Sequence, residues 1–326
     1  MIEKLYQGDC REVLKNIADN SVACIVTDPP YNYEFIGRTW NHEEIQRRIS
    51  RVKESSTLVK NIPYGSGLAG GVRNERWYER NRKNIKEYRK WCEEWSLELF
   101  RVCKSGAFVA VFSSTRTLAH IQVALEESGF YARDCLVYRR HAGIPKGLNV
   151  EKKFTKENRK DAEKWKGWHT CFRNEWEAIV LVQKPLINNY LETIELNGIS
   201  ALKTILPDGS FQSNILAGYS KGSDEKFDVH CTIKPLNLIE KLLETLVPLE
   251  NENVILDPFA GTGTTLVAAK NLGLSYIGIE IEPNYFEIIE ERLAKKTSKR
   301  QSNAKTTSKE NLKIKSAPTN LRFAKK

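Results

Sequence analysis

Short apolar runs alternate with longer segments of helical spacing over most of the chain. A run without internal polar positions is typical of a strand buried on both faces, whereas apolar residues three and four positions apart are typical of an amphipathic helix. The alternation predicts a doubly wound α/β fold with a mostly parallel sheet. Strands are predicted at residues 4–6, 21–26, 106–112, 135–138, 178–182, 255–256 and 276–279, and helices at residues 10–17, 88–102, 115–128, 236–246 and 283–293.

Three parts of the chain depart from this pattern. Glycines and basic residues replace the apolar spacing at about 33–86, which predicts a flexible insertion. Residues 142–229 are rich in polar and aromatic positions and enclose the predicted strand at about 177–184. Beyond residue 294 the chain turns to Lys, Ser, Thr and Asn with few apolar positions, which predicts a disordered basic tail at 295–326.

The composition narrows the class of protein. A chain of 326 residues that is 40% hydrophobic can bury a large core, as one domain with insertions or as two domains. It has no apolar run long enough to cross a bilayer and does not begin like a signal peptide, so a soluble, cytoplasmic protein is expected. Its 7 cysteines form no C-x-x-C pair and no metal-ligand spacing, which predicts reduced thiols and no metal site.

Positive charge is concentrated in particular segments. The tail at 295–326 holds 11 Lys or Arg against one acid, Glu310, and therefore carries a charge equal to the whole net charge of +10. Within the remainder, 33–104 and 133–168 are basic and 169–294 is acidic. A polyanion such as DNA is therefore expected to contact the middle of the chain. The candidate DNA contacts are Arg76, Arg80, Arg139, Lys146, Lys152 and Lys153.

A stiff polar loop, Asp28-Pro29-Pro30-Tyr31, follows the apolar run 22–26. The two prolines fix φ and remove two backbone donors, so the chain leaves the strand without entering a helix. Such a loop can hold a carboxylate, the carbonyl of Pro29 and the face of Tyr31 in one arrangement that suits a planar base with an amino group. The alternative interpretation is a strand that ends in an ordinary proline-rich turn.

A second motif, Asp257-Pro258-Phe259-Ala260-Gly261-Thr262-Gly263-Thr264-Thr265, follows another apolar run and precedes an Ala-rich helix. Strand, glycine turn and helix start together place backbone N–H groups where a nucleotide-like ligand can approach. Glu280 ends the next predicted strand, at the spacing of an acid that binds ribose hydroxyls. A dinucleotide would need glycine where Leu266 stands, and the carboxylate of Asp257 would repel a pyrophosphate. A cationic cofactor is therefore favoured.

The two motifs together resemble those of the amino-methylating DNA methyltransferases, which use S-adenosylmethionine. Their order, with the tetrapeptide before the glycine turn, is similar to that of the circularly permuted β group. The resemblance implies a seven-stranded, Rossmann-like methyltransferase sheet with one antiparallel strand and an inserted target-recognition region. On this basis residues 1–141 form the catalytic half, 142–229 the recognition region and 230–294 the cofactor-binding half.

The resemblance also implies site residues. Gly8-Asp9-Cys10 is similar to the motif that contacts the cofactor adenine, and residues 230–235 are similar to the H-x-T-x-K-P segment near the methionine end, with Cys231 and Ile233 in place of Pro and Gln. The implied catalytic residues are Asp28, Pro29, Pro30 and Tyr31. The implied cofactor-binding residues are Asp9, Cys10, Asp28, His230, Thr232, Lys234, Asp257, Phe259, Ala260, Gly261, Thr262, Gly263, Thr264, Thr265 and Glu280.

An enzyme of this family extrudes its target base from duplex DNA and transfers the methyl group directly, without a covalent enzyme intermediate. Asp at the first motif position favours the 6-amino group of adenine, and the 4-amino group of cytosine is the alternative. No proline is followed by cysteine, so methylation at cytosine carbon 5 is not indicated. The rival interpretations are an RNA or protein-amide methyltransferase, a nicotinamide dehydrogenase and a noncatalytic DNA-binding module. The sequence is compatible with a cognate restriction endonuclease and with a homodimer, and selects neither.

Overall fold

Eight strands form one sheet in the computed structural model, which describes residues 1–31, 75–140, 147–222, 233–250 and 252–295. The strands are β1 (Glu3–Gln7), β2 (Val22–Thr27), β3 (Cys103–Ser113), β4 (Tyr131–Arg139), β5 (Trp176–Gln183), β6 (Ile215–Leu216), β7 (Val254–Asp257) and β8 (Ser275–Glu280). The helices are α1 (Cys10–Val13), α2 (Glu75–Val102), α3 (Leu118–Glu127), α4 (Val150–Lys156), α5 (Tyr190–Asn197), α6 (Leu236–Leu246), α7 (Thr264–Asn271) and α8 (Pro283–Ala294). Two short 3-10 turns lie at Leu14–Asn16 and Ala162–Trp165.

The sheet has the order β1-β8-β7-β2-β3-β5-β4-β6 and is parallel except at β5, which runs against both of its neighbours. This order confirms the predicted doubly wound, mostly parallel fold with one antiparallel strand. The chain moves one way across the sheet from β2 to β3 and the other way from β7 to β8, so right-handed crossovers place α2 and α7 on opposite faces. The sequence predicts seven of the strands; the eighth, β6, adds two residues at the edge beside β4.

The core lies on both sides of the central strands. Every residue of β2 is buried, and β3 is buried from Gly106 to Ser113, which explains why these strands are continuous apolar runs in the sequence. Trp95 of α2 and Phe108 and Phe112 of β3 are among the largest side chains that are fully buried. A tightly packed centre of the sheet therefore carries the loops that follow β2 and β7.

Three helices differ from the sequence prediction. Helix α2 begins at Glu75 and not at residue 88, so the last part of the insertion predicted at about 33–86 is helical. Its first turns are rich in Arg, Asn and Glu, and apolar spacing cannot reveal a helix of that composition. Helices α4 and α5 are missing from the prediction because they are short. Asn149 and Asn189 begin them, each accepting at 2.9 Å from a backbone N–H of the first turn.

The sequence analysis also makes predictions about cysteines, metal sites and membrane spans. The described cysteines are free thiols, and burial raises the pKa of Cys24. Within the part of the chain that the structure describes, no group of His, Cys, Asp or Glu could hold a metal ion. Over the same residues, no helix is long and apolar enough to span a bilayer. The predicted tail from residue 296 onward, and the predicted insertion up to residue 74, lie outside the described residues.

Candidate active site at the carboxyl edge of the sheet

Five carboxylates gather along one edge of the sheet. Strands β1, β8, β7 and β2 are parallel neighbours, so their carboxyl ends meet at that edge. Asp9, Glu280, Asp257 and Asp28 stand at or just after these four ends. Glu177 joins them from β5, which runs in the opposite direction and therefore begins at the same edge. In a doubly wound sheet this is the edge where ligands bind.

Both oxygens of the Asp28 carboxylate are engaged. The hydroxyl of Tyr31 donates to Oδ1 at 2.5 Å, and the ammonium of Lys234 forms an ion pair with Oδ2. The Lys234 side chain is only 8% exposed, and its Nζ lies 5.3 Å from the centre of the Tyr31 ring. The tetrapeptide therefore places carboxylate and ring together, as its prolines favour. Lys234, which the motif resemblance assigns to the cofactor, contacts Asp28.

Glu177 extends this arrangement into a charge network. Its Oε2 lies 3.3 Å from Lys234 Nζ and accepts from the Tyr31 hydroxyl at 3.4 Å, while its Oε1 lies 3.2 Å from Arg140 Nη1. Burial acts to raise the pKa of Glu177, but the charges of Lys234 and Arg140 outweigh burial and the pKa is lowered. Burial raises the pKa of Asp28, which shares the charge of Lys234 with Glu177. The sequence offers one signal for Glu177, which is an acid directly before the apolar run 178–182.

The glycine turn after β7 lies against the carboxylate of Glu280. That carboxylate accepts from Gly261 N at 2.6 Å and from Glu282 N at 2.9 Å. A carboxylate can accept about four hydrogen bonds, so it has capacity for ligand hydroxyls as well. Glu280 is 7% exposed, and burial raises its pKa to about 7. The acid predicted to bind ribose therefore lies beside the loop predicted to bind the cofactor.

Asp257 is turned inward. Its Oδ1 accepts from the Thr27 hydroxyl at 2.7 Å and from Phe259 N at 3.1 Å. Burial raises its pKa to about 6. Asp257 therefore links the end of β2 to the start of the loop at residues 258–263, which is predicted to bind the cofactor and is called the cofactor loop below. This link sets the position of Asp28 relative to the cofactor loop.

Helix α2 supports both loops. The hydroxyl of Tyr88 donates to the carbonyl of Pro30 at 3.1 Å. Trp91 and Trp95 pack on Phe259, with ring centres 5.5 and 5.6 Å apart. Phe259, which the motif assigns to the cofactor, therefore also anchors the cofactor loop to this helix. Apolar spacing predicts the buried face of α2, but the loops that this face contacts depend on the tertiary fold.

Arg292, in the last turn of α8, holds the middle of the cofactor loop. Its Nη1 donates to the carbonyl of Thr262 at 2.5 Å and lies 3.3 and 3.2 Å from the hydroxyls of Thr262 and Thr264. The hydroxyl of Thr265 donates to the carbonyl of Val26 at 3.4 Å. All three threonines are buried, so this part of the predicted cofactor set fixes the shape of the loop from within.

Gly263 ends the turn and begins α7 in the left-handed conformation, with φ of 79°. Its N–H donates to the carbonyl of Ala260 at 2.7 Å. A Cβ added at Gly263 would lie 2.9 Å from Cγ2 of Ile289 on α8. Residues with a Cβ rarely adopt this φ, and here Ile289 would also have to move.

Gly263→Ala is expected to lower the free energy of unfolding by roughly 3 kcal/mol, because backbone strain and overlap with Ile289 add together. Gly198→Ala is the matched control, since φ there is 71° and no described atom lies within 4 Å of the added Cβ. Strain alone should cost the control about 1 to 2 kcal/mol. Urea unfolding measures both variants. Equal losses would mean that overlap with Ile289 contributes nothing.

Asp9 stands next to Glu280 along the edge, because Gly8 N donates to the carbonyl of Glu280 at 2.9 Å. The Asp9 carboxylate caps α1 by accepting from Arg11 N at 2.9 Å and pairs with Arg11 Nη2 at 2.7 Å. The hydrogen bond from the Arg11 side chain lowers the pKa of Asp9. Cys10 is buried in the core behind it. The predicted adenine-contact motif therefore lies beside the predicted ribose acid.

The remaining predicted residues are the predicted DNA contacts and the residues that lie outside the described part of the chain. Arg139, Lys152 and Lys153 are exposed, and Lys153 pairs with Glu157 at 2.8 Å. Outside the described residues are His230, Thr232 and Lys146, together with the side chains of Arg76 and Arg80.

A small folded segment between β4 and β5 carries the two lysines. Trp165 packs edge-on against Phe154 and Trp168, with ring centres 6.0 and 5.8 Å apart. Phe172, just beyond this cluster, exposes 97% of its surface. A basic and aromatic surface therefore lies in the connection that leads into Glu177.

One known protein family matches most of the chain. Residues 22–291 match the N6_N4_Mtase family, described as DNA methylase, and this range includes the loops after β2 and β7. The chain belongs to the N6/N4 DNA methylase family. It is an S-adenosylmethionine-dependent enzyme that acts on double-stranded DNA, as the resemblance of its motifs indicates.

The chain is also similar to individual DNA methyltransferases. The chain is 33% identical over 309 residues to the Type II methyltransferase M.HindIII of Haemophilus influenzae, covering 90% of this chain and 96% of that protein. The fold is shared with the M1.HpyAVI-SAM complex, at a TM-score of 0.53 and 19% identity over 90% of this chain and 100% of that chain. It is also shared with the PvuII DNA methyltransferase (cytosine-N4-specific), at a TM-score of 0.56 and 13% identity over 91% and 88% of the two chains.

The edge of this methylase fits the cofactor of its family. S-adenosylmethionine carries sulfonium and ammonium charges, which suit an edge lined by carboxylates. At Gly261 an added Cβ would come no nearer to a described atom than 4.0 Å, so the turn leaves room for a ligand. The side-chain oxygen of Asn237, in the first turn of α6, is buried and has no hydrogen-bond partner among the described residues. It is suited to accept from an ammonium group.

Proposed function

We propose that this methylase modifies the 6-amino group of adenine within one short sequence of double-stranded DNA. The position of Asp28 carries the proposal. Its Oδ1 holds an O–H donor at 2.5 Å, at the end of the strand next to the cofactor loop. A carboxylate oxygen that holds an O–H donor there can hold the N–H donor of a base in the same place.

Each residue of the tetrapeptide then has its own role in the reaction. The target base leaves the duplex first, because stacking hides its amino group, at a cost of about a few kcal/mol. The ring of Tyr31 stacks on the extruded base, while Asp28 and the carbonyl of Pro29 accept from the amino group. These hydrogen bonds draw the nitrogen lone pair out of conjugation and orient it for direct transfer, with no covalent enzyme intermediate. S-adenosylmethionine supplies an electrophilic methyl group.

Lys234 acts on the other oxygen of Asp28. Its ammonium pairs with Oδ2, which leaves Oδ1 as the oxygen that faces the base. The charge of Lys234 also opposes the rise in the pKa of Asp28 that burial causes. Asp28 thereby stays an acceptor, which the amino group requires.

Two groups hold the cofactor in this proposal. Glu280 accepts from the ribose hydroxyls, and the buried oxygen of Asn237 accepts from the ammonium of the methionine end. The glycine turn beside Glu280 has room at Gly261 for the approach of the ligand.

Cofactor affinity is expected to rise with pH through about pH 7, since burial holds the pKa of Glu280 at about 7 in the free protein. Ribose hydroxyls stabilise the ionised carboxylate, so protonation at lower pH opposes binding. Calorimetric titration with S-adenosylmethionine over this range measures the change. Glu280→Gln should lose this step, and a step of unchanged size in the variant would contradict the assignment.

The basic and aromatic surface between β4 and β5 faces the DNA in this proposal. Arg139, Lys152 and Lys153 approach phosphates, and the exposed ring of Phe172 is suited to insertion beside the extruded base.

Replacing Lys152 and Lys153 by Ala should weaken DNA binding and flatten the dependence of log affinity on log salt by about 2, because fewer counterions are released. Lys15→Ala is the control, because Lys15 is also exposed and paired with a glutamate, Glu12. Fluorescence anisotropy at several salt concentrations gives the slopes. An unchanged slope in the double variant would place the phosphate contacts elsewhere.

The 4-amino group of cytosine is the second candidate target, because the cytosine-N4-specific PvuII enzyme has a similar fold. Asp at the first motif position favours adenine. We also propose that the enzyme works in the cytoplasm beside a restriction endonuclease, and its similarity to the Type II methyltransferase M.HindIII supports this proposal.

Transfer of labelled methyl groups to DNA, RNA and protein tests the substrate, followed by nucleoside analysis of the product. Label in DNA as N6-methyladenine is the expected result. Label in RNA or protein, or as 4-methylcytosine, would overturn the proposal.

A further inference from the structure

The hydroxyl of Tyr31 lies between two carboxylates. We infer that this hydroxyl has two working positions: it donates to Asp28 while no base is bound, and it moves to Glu177 when the target amino group takes its place on Asp28. Glu177 is then a positioning residue for methyl transfer. The inference rests on the proposed role of Asp28 as the acceptor of the target amino group.

The distances favour such an exchange. Tyr31 Oη lies 2.5 Å from Asp28 Oδ1 and 3.4 Å from Glu177 Oε2. The first distance is a full hydrogen bond, and the second is at the outer limit of one. A small shift of the hydroxyl therefore exchanges one acceptor for the other. The ring can keep its place as the stacking surface while this happens.

Competition for Asp28 makes a second acceptor necessary. The amino group of the base must approach the oxygen on which the Tyr31 hydroxyl sits. Burial and the charges of Asp28 and Glu177 raise the pKa of Tyr31 far above its ordinary value, so the hydroxyl keeps its proton. A hydroxyl held away from water that loses its acceptor destabilises the complex. Without Glu177 the Tyr31 hydroxyl would lose its acceptor each time a target base binds to Asp28.

Glu177 is held ready for this role by two cations. Lys234 Nζ lies 3.3 Å from Oε2 and Arg140 Nη1 lies 3.2 Å from Oε1. These ion pairs keep the carboxylate charged and fixed beside Tyr31. Lys234 contacts both carboxylates, so neither acceptor needs to move when the hydroxyl changes partner.

A double-mutant cycle tests the inference, using Tyr31→Phe to remove the hydroxyl and Glu177→Ala to remove its second acceptor. Two readouts report capture of the base: the fluorescence of 2-aminopurine placed next to the target adenine, which keeps the 6-amino group of the target, and the KM for DNA. In the Tyr31 background Glu177→Ala should raise KM by about tenfold, and Glu177→Gln, which keeps an oxygen acceptor, by less. In the Tyr31→Phe background both effects should fall to about twofold or less.

Three controls separate the outcomes. S-adenosylmethionine affinity by calorimetry should be the same in every variant, which shows that each one is folded. Glu175→Ala is the matched control for Glu177→Ala. It should leave the KM for DNA unchanged, because the Glu175 side chain pairs with Arg173 at the surface. An equal loss from Glu177→Ala in both backgrounds would mean that Glu177 acts only through Lys234 and would overturn the inference, as would no loss in either. Because 2-aminopurine reports extrusion and not transfer, failure of Asp28 as the catalytic group would appear separately, as retained turnover in Asp28→Ala.

Discussion

Asp28→Ala is expected to abolish methyl transfer and to leave S-adenosylmethionine binding nearly unchanged. In the proposed mechanism Asp28 accepts the target amino group, and loss of one preorganised partner of a reacting group costs about a hundredfold to a thousandfold in turnover. The groups proposed to hold the cofactor are Glu280 and the loop after β7, neither of which is hydrogen-bonded to Asp28 among the described residues. Single-turnover rates measure transfer, and calorimetry measures cofactor affinity.

Two further variants sharpen this result. Asp28→Asn keeps the shape of the side chain and one acceptor oxygen, so its turnover should lie between those of Asp28→Ala and the wild type. Asp208→Ala, at a surface turn where the carboxylate accepts from Ser210, should behave as wild type. Turnover of Asp28→Ala within tenfold of wild type would refute the catalytic assignment.

Glu280→Ala should weaken S-adenosylmethionine binding by roughly 1 to 3 kcal/mol, which is the usual cost of leaving buried donors unpaired. Those donors are the ribose hydroxyls of the proposed complex and also Gly261 N and Glu282 N, which donate to the same carboxylate in the free protein. The loss should therefore appear in affinity and also as a looser cofactor loop. Calorimetry measures the affinity, and hydrogen exchange at Gly261 measures the loop.

Glu282→Ala is the control for that experiment, since it removes the neighbouring acid and keeps the backbone N–H that donates to Glu280. Its affinity should stay near wild type. The opposite pattern, with unchanged binding in Glu280→Ala and weakened binding in Glu282→Ala, would make Glu282 the ribose acid.

The sequence predicts the fold well because the information is local. Strand β2 is buried throughout and is a continuous apolar run, and the tetrapeptide that follows it limits its own geometry through two prolines. The glycine turn likewise specifies its own shape, since φ of 79° at Gly263 demands glycine. The start of α2 is missed because its first turns are polar and lack apolar spacing.

The partners of these loops are not local, so the sequence does not show which residues contact the loops. Glu177 reaches Lys234 and Tyr31, the partners of Asp28, only because β5 runs antiparallel and begins at the edge where β2 ends. Tyr88 and Arg292 support the two loops from helices that the order of the strands brings close. Motif resemblance assigns Lys234 to the cofactor, whereas its contacts with Asp28 and Glu177 depend on how the two halves of the chain pack.

Sequencing DNA from a host that expresses this chain, with detection of modified bases, tests the central claim most directly. The account predicts N6-methyladenine at one adenine of a single short recurring sequence, and no modification in a host that expresses the Asp28→Ala variant. The control host carries Asp208→Ala and should show the wild-type pattern. 4-Methylcytosine at the recurring site, unmodified DNA in the wild-type host, or modification that survives Asp28→Ala would contradict the account.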